Sequence, residues 1–199
     1  MKQILQILVL FPVIIFGQKD YKFSYKQGYD FIKKAEKQIA KNNFDNAQKL
    51  VIKAKKSNFG FCGNSWAEAN SKINLIESKI LNSNRKYDES LKLLESIDQC
   101  GFGAYCAQRD YLKIETLFLK FGKEKVKNAF KNTNQISKNE TEKYEDSYSV
   151  YIKEIDYNFN FLDEKIQFLD KDGKVIKKAK QENPFLNIAQ NQMFNELLE

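Results

Sequence analysis

Residues 44–63, FDNAQKLVIKAKKSNFGFCG, and residues 87–103, YDESLKLLESIDQCGFG, decide the fold. Each stretch opens on an aromatic followed by Asp, Phe44-Asp45 in one and Tyr87-Asp88 in the other. Each then runs into a Gly-containing aromatic loop, Phe59-Gly60-Phe61-Cys62-Gly63 or Cys100-Gly101-Phe102-Gly103. Phe44 to Tyr87 and Phe59 to Phe102 share one offset, 43 residues. Between the landmarks Ala47, Leu50, Val51 and Ala54 fall at i, i+3, i+4 and i+7, the stripe of an amphipathic helix. Self-similarity at a period of about 20–50 residues marks helical hairpins that bury their apolar faces by stacking.

The helical pattern extends on both sides. Trp66, Ala69, Ile73, Ile76 and Ile80 make one stripe, and Leu91, Leu94 and Ile97 continue it. Tyr111, Ile114, Leu117, Phe118 and Phe121 make another. No proline lies between Pro12 and Pro184, so nothing in this stretch breaks a helix. The expected fold is therefore mostly α, a helical-hairpin array over residues 18–131 followed by a smaller module over 132–199.

The array resembles tetratricopeptide repeats. Ala35 matches that family's small residue in the first helix, Phe44 the aromatic at the turn, Ala47 and Ala54 the small residues of the second helix, and Val51 the large residue between them. In the next unit Tyr87 and Leu94 match and Ser78 and Ser90 stand as the small residues, but Ile97 sits where Ala is usual. A third unit, about 104–131, keeps little beyond its helical pattern. The family's Trp and Pro are absent, and the 43-residue period is longer than the family's, so the connecting loops must be longer. The resemblance implies a concave face built by the first helices of the units, holding Tyr29, Glu36, Lys72, Leu75 and Lys79. Lysines beside an apolar side chain suit an acidic or C-terminal peptide tail of a partner protein.

The C-terminal part reads differently. Residues 131–147 are polar and read as a linker running into a helix start. Tyr144, Tyr148, Tyr151, Ile155, Phe159, Leu162, Ile166 and Leu169 suit one long helix, yet Tyr157, Phe159 and Phe161 alternate with Asn158 and Asn160 as a strand would. Asp170-Lys171-Asp172-Gly173 is a turn signal, because Gly supplies the positive φ that closes a hairpin. A small antiparallel meander over 154–178 is the favoured expectation, with a final helix over 185–198 opened by Asn183-Pro184.

The N-terminus carries a basic tip at Lys2, an apolar run from Ile4 to Phe16 and a small residue, Gly17, before polar Gln18. That is the pattern of a cleavable signal peptide over residues 1–17, too short for a membrane span of about 20 residues. The expectation is an exported, soluble chain, periplasmic or secreted. The net charge of +7 comes almost wholly from Lys, with Arg only at 85 and 109. Lysines interspersed with acids read as a solvated surface rather than a nucleic-acid face. Histidine is absent, which excludes His-dependent triads and His-ligated metal sites.

Export makes disulfides expected, and three cysteines leave one over. The open end of a hairpin between Cys62 and Cys100 brings those two together, so Cys62–Cys100 is the expected staple with Cys106 as the free thiol. Cys100–Cys106, Cys62–Cys106 and no bond at all stay open as rivals. Asp170-x-Asp172-Gly173 is not a calcium loop, because Phe168 and Ala179 occupy its ligating ends. No nucleophile elbow, phosphate loop or dinucleotide fingerprint occurs, and no cofactor or metal is expected. The expected function is that of a non-enzymatic protein-binding or scaffold protein using the helical groove. A small exported hydrolase with paired carboxylates, acting on polysaccharide, is the rival from another class, and an inhibitor docking on one enzyme is a third.

Overall fold

Short polar connections set where the helices begin. The computed structural model describes residues 21–99, 102–132, 137–139 and 147–162. Ser24 caps α1 (Tyr25–Ile39) through a reciprocal capping box with Gln27, a device worth about 1 kcal/mol. Asn43 caps α2 (Phe44–Ala54) by accepting from the Asn46 N–H. Then follow α3 (Gly63–Ser83), α4 (Tyr87–Glu95), α5 (Cys106–Phe121) and α6 (Lys123–Lys131). Each short connection folds a helix back on its predecessor, so α1 packs on α2, α3 on α4 and α5 on α6. The pairs are joined by contacts of α1 and α2 with α3, and of α3 and α4 with α5. The described helices thus pack against one another throughout, as the apolar stripes predict. None is long and apolar enough to cross a membrane.

The backbone repeats some of its special conformations. Asn42 and Arg85, in the turns before α2 and α4, both adopt the left-handed region, with φ of 56° and 59°. Gly60 and Gly103, in the loops before α3 and α5, have φ of 88° and 89°. Both pairs lie at the 43-residue offset of the sequence. Within the first loop the two Phe residues diverge: Phe59 is buried against Tyr29 and Trp66, whereas Phe61 is fully exposed.

The core takes most of the expected stripe residues and adds others outside them, Ile32, Leu112, Val126 and Phe130 among them. Ile32, Ala35, Ala47, Val51, Ala54, Ile73, Ile76 and Ile80 form one cluster under α1–α3. Leu94, Ile97, Cys106 and Leu112 form a smaller one. A third joins Leu91, Ile114, Leu117, Val126 and Phe130 to Ile152, Ile155 and Phe159.

Ile152 and Phe159 belong to a sheet, and Ile155 to the turn that joins two of its strands. Strands β1 (Ser137–Asn139), β2 (Ser147–Ile152) and β3 (Tyr157–Leu162) form an antiparallel meander in the order β1-β2-β3. A 3-10 turn, Lys153–Ile155, and left-handed Asp156 join β2 to β3. The register pairs Ser147 with Leu162 and Ile152 with Tyr157. The long-helix alternative therefore fails over 147–162, and the meander begins earlier than residue 154. The linker expected over 131–147 contains β1, which pairs with β2. The α5 helix touches β3 and α6 touches the 3-10 turn, so the sheet shares its core with the last helical pair. The stretches read as a signal peptide over 1–17, a turn at 170–173 and a helix over 185–198 lie outside the described residues.

The disulfide expectation is corrected. Cys62 is free and exposed just before α3, and Cys106 is disulfide-bonded at the start of α5. The pairing of Cys62 with Cys100 and the spare thiol at Cys106 both give way. Cys100–Cys106, the short-range rival, is compatible with both facts, although Cys100 itself lies outside the described residues.

Candidate functional site

The helices α1, α3 and α5 enclose a groove of about 480 Å³. Glu36 and Ile39 come from α1, and Lys72, Leu75, Ile76 and Lys79 from α3. Tyr105 precedes α5, which supplies Gln108, Tyr111, Leu112 and Glu115. The floor is aliphatic because Ile76 and Leu112 belong to the buried stripes of their helices. Their helical neighbours at three- and four-residue spacing, Lys72, Lys79 and Glu115 among them, come out on the same side with polar ends.

Of the residues predicted for the face, Glu36, Lys72, Leu75 and Lys79 line this groove. Tyr29 does not line it but supports it from α1. Its hydroxyl donates to Glu68 Oε2 at 3.1 Å and lies 3.2 Å from the Ser65 carbonyl oxygen. Lys72 Nζ donates to Glu68 Oε1 at 2.8 Å, and the Tyr105 hydroxyl reaches the same oxygen at 3.5 Å. Glu68 thus gathers groups from α1, α3 and the start of α5. The Lys72 ammonium also sits 4.9 Å from the centre of the Tyr105 ring and 5.8 Å from that of Tyr29, a cation–π arrangement. The hydrogen bond from Lys72, working against some burial, holds the Glu68 carboxyl below the usual range. Burial, and then the bond to Glu68, push the Tyr29 phenol up.

Lys72 thus keeps its charge but is paired with Glu68, and the groove has three other charged groups: Glu36, Lys79 and Glu115. Glu115 is half buried. Burial pushes its carboxyl pKa up, and Lys79 opposes the shift. Among the described residues Lys79 is the one electrostatic influence on that carboxyl, and no hydrogen bond or ion pair holds it there.

Sequence reasoning missed Glu68, Tyr105, Gln108, Tyr111 and Glu115. The signal for Glu115 was present: the offset that carries Tyr29 to Lys72 carries Lys72 to Glu115. The third unit was too weakly marked by its turn residues for the offset to be extended that far. Glu68 and Tyr105 carry no signal, since the contact between α3 and the α5 start is tertiary.

A second, smaller cavity of about 210 Å³ lies on α3 beside the segment after α4, lined by Asn70, Ser71, Asn74, Ser96 and Asp98. Ser71 accepts from the Tyr105 N–H and Asn74 donates to Ser96, so its polar groups are engaged in holding the loop. No protein-family model matches the chain, and no curated protein or solved structure matches it either.

Proposed function

We propose that this is an exported, non-enzymatic binding protein whose helical hairpins form an array akin to tetratricopeptide repeats and whose groove holds a segment of a partner protein. The observation that carries the reading is the groove itself, with its aliphatic floor of Ile39, Leu75, Ile76 and Leu112 and its charged borders. An apolar cleft with a few convergent polar groups is the form peptide and ligand sites take. Support for the array comes from the 43-residue recurrence of left-handed Asn42 and Arg85 and of Gly60 and Gly103. The signal-peptide pattern supports export.

A displayed random-peptide library selected on the full chain tests the groove. Sequences should be enriched that bind the native chain and lose binding to Leu75→Trp, which fills the cleft, while circular dichroism and Tm show that the variant is folded. A library that enriches nothing, or winners that bind the folded variant equally well, would remove the reading.

One observation favours the hydrolase alternative: Glu115, raised by burial, shares a cleft with a second carboxylate, Glu36. Two carboxyl groups flanking one sugar bond is the arrangement of glycoside hydrolysis. Release of reducing ends from polysaccharide by the native chain, abolished in Glu115→Gln, would replace the binding reading with this one.

A further inference from the structure

Resting on the groove reading above, we propose that the occupant presents a lysine or arginine side chain to Glu115 and Glu36, in place of the acidic tail that two groove lysines suggest by themselves. The charge count carries it. Lys72 is held by Glu68 at 2.8 Å and flanked by two tyrosine rings, so it offers little to an incoming anion. Among the groove residues that leaves one cation, exposed Lys79, against two carboxylates.

Glu115 is the decisive group. It is half buried and has no hydrogen bond or ion pair among the described residues. An occupant covering it removes more of its water. A cation compensates that desolvation more fully than a neutral hydrogen-bond donor does, and an acidic side chain adds like-charge repulsion. A lysine or arginine fits in both of its parts. Its methylene stem lies along Leu75 and Leu112 while its charged end reaches the carboxylates. The groups facing Glu115 across the groove are Glu36 on α1 and Lys72 and Lys79 on α3, with Tyr105 and Tyr111 on its own side. None of these supplies a second free cation.

The pH dependence follows in sign. Burial raises the Glu115 carboxyl against the pull of Lys79. As pH falls, Glu115 therefore takes up its proton earlier than an ordinary glutamate, and the site loses the charge that attracts a cation. Affinity for a basic occupant declines on acidification, and affinity for an acidic one increases.

Fluorescence anisotropy on the full chain tests this with labelled pentapeptides that carry lysine, arginine or glutamate between two leucines. The lysine and arginine probes should bind about tenfold tighter than the glutamate probe, the effect of about 1.4 kcal/mol. Glu115→Gln should erase most of that preference, Glu36→Gln should reduce it, and Lys79→Gln should increase it. A glutamate probe that binds as well or better, and is lost in Leu75→Trp, would overturn this inference and leave the groove standing. Failure of every probe, or equal binding of all of them to folded Leu75→Trp, would overturn both.

Discussion

Gly28 shows how tightly one residue is constrained. A Cβ there would lie 2.7 Å from Phe59 Cε1 and 2.7 Å from Ser57 Cβ, closer than packed atoms approach. The first helix thus meets the loop after α2 at a point with no room for a methyl group. Gly28→Ala should lower stability by about 1–2 kcal/mol, the overpacking cost less the helix propensity gained. Gly63→Ala is the control, since nothing lies within 4 Å of its Cβ position. Urea unfolding of the two variants checks the pair: equal midpoints would refute the contact. The opposite fates of Phe59 and Phe61 belong to the same scale. Composition alone could not separate two phenylalanines flanking one glycine, and the fold of the loop did. Cysteine shows a similar limit, because a count of three foretells a leftover thiol but not which one it is.

At the scale of elements, α3 and α4 approach through small residues. Ser78 and Ser90, both fully buried, hydrogen-bond to each other, and the Ser90 hydroxyl also donates to the Ser78 carbonyl at 3.2 Å. These are the serines whose small size the repeat pattern singled out. Ser90→Leu should force the two helices apart and cost about 1–3 kcal/mol or more. Ser90→Ala, which keeps the volume and loses the hydrogen bonds, should cost about 1 kcal/mol. Thermal unfolding distinguishes them, and a leucine variant as stable as the alanine variant would show that the close approach does not matter. The same scale exposes the ambiguity over 147–162. Tyr151, Ile155, Phe159 and Leu162 satisfy helical spacing, and Tyr157, Phe159 and Phe161 satisfy strand spacing. Periodicity could not choose, because a short run of apolar residues fits both templates. The choice fell to the surface that α5 and α6 present: Phe159 meets Phe130 edge to face at 5.7 Å, while Ile152 and Ile155 fill the cluster beside it.

Across the whole molecule the least expected feature is a set of charges inside the junction of helices and sheet. Arg109 makes two hydrogen bonds to Asp110, at 2.7 and 3.0 Å, and a third to the Ile97 carbonyl. Lys113, 1% exposed, lies 3.9 Å from Asp110 and 5.3 Å from the centre of the Phe159 ring. Nearby the Tyr157 hydroxyl donates to Glu95 at 2.8 Å, tying β3 to α4. Burial pushes Lys113 down to about 8, with Arg109 adding to the shift and Asp110 and Glu95 opposing it. The folded pKa lies below the unfolded one, so between them the unfolded chain binds more protons and stability rises with pH. Tyr157, pushed up by burial and by Glu95, acts the other way above its ordinary value of about 10. Lys113→Met should therefore stabilise the protein at pH 7, and the gain should shrink as pH rises from about 8 to about 10. Asp110→Asn, which leaves two buried cations facing a neutral amide, should cost about 3–5 kcal/mol. Urea titrations at both pH values decide this; a Lys113→Met gain that does not change with pH would refute the account.

What the sequence determined by itself was the helical part: its stripes and the 43-residue echo between Phe44 and Tyr87, because each follows from local spacing along one chain. The resemblance to tetratricopeptide repeats implied one face holding Glu36, Lys72, Leu75 and Lys79, and these four line the groove. Only the tertiary structure decided what that face amounts to. Glu68, seven residues before Leu75, takes Lys72 out of play, and Glu115 arrives from α5 to change the sign of the groove. Burial of Lys113 and Arg109 was equally hidden, since a lysine-rich composition reads as surface and only packing against β3 reveals an interior charge. The physical reason is common to these cases. Periodicity fixes which side of a helix a residue occupies, whereas charge pairing, cysteine partners and strand pairing depend on neighbours that only the fold brings together.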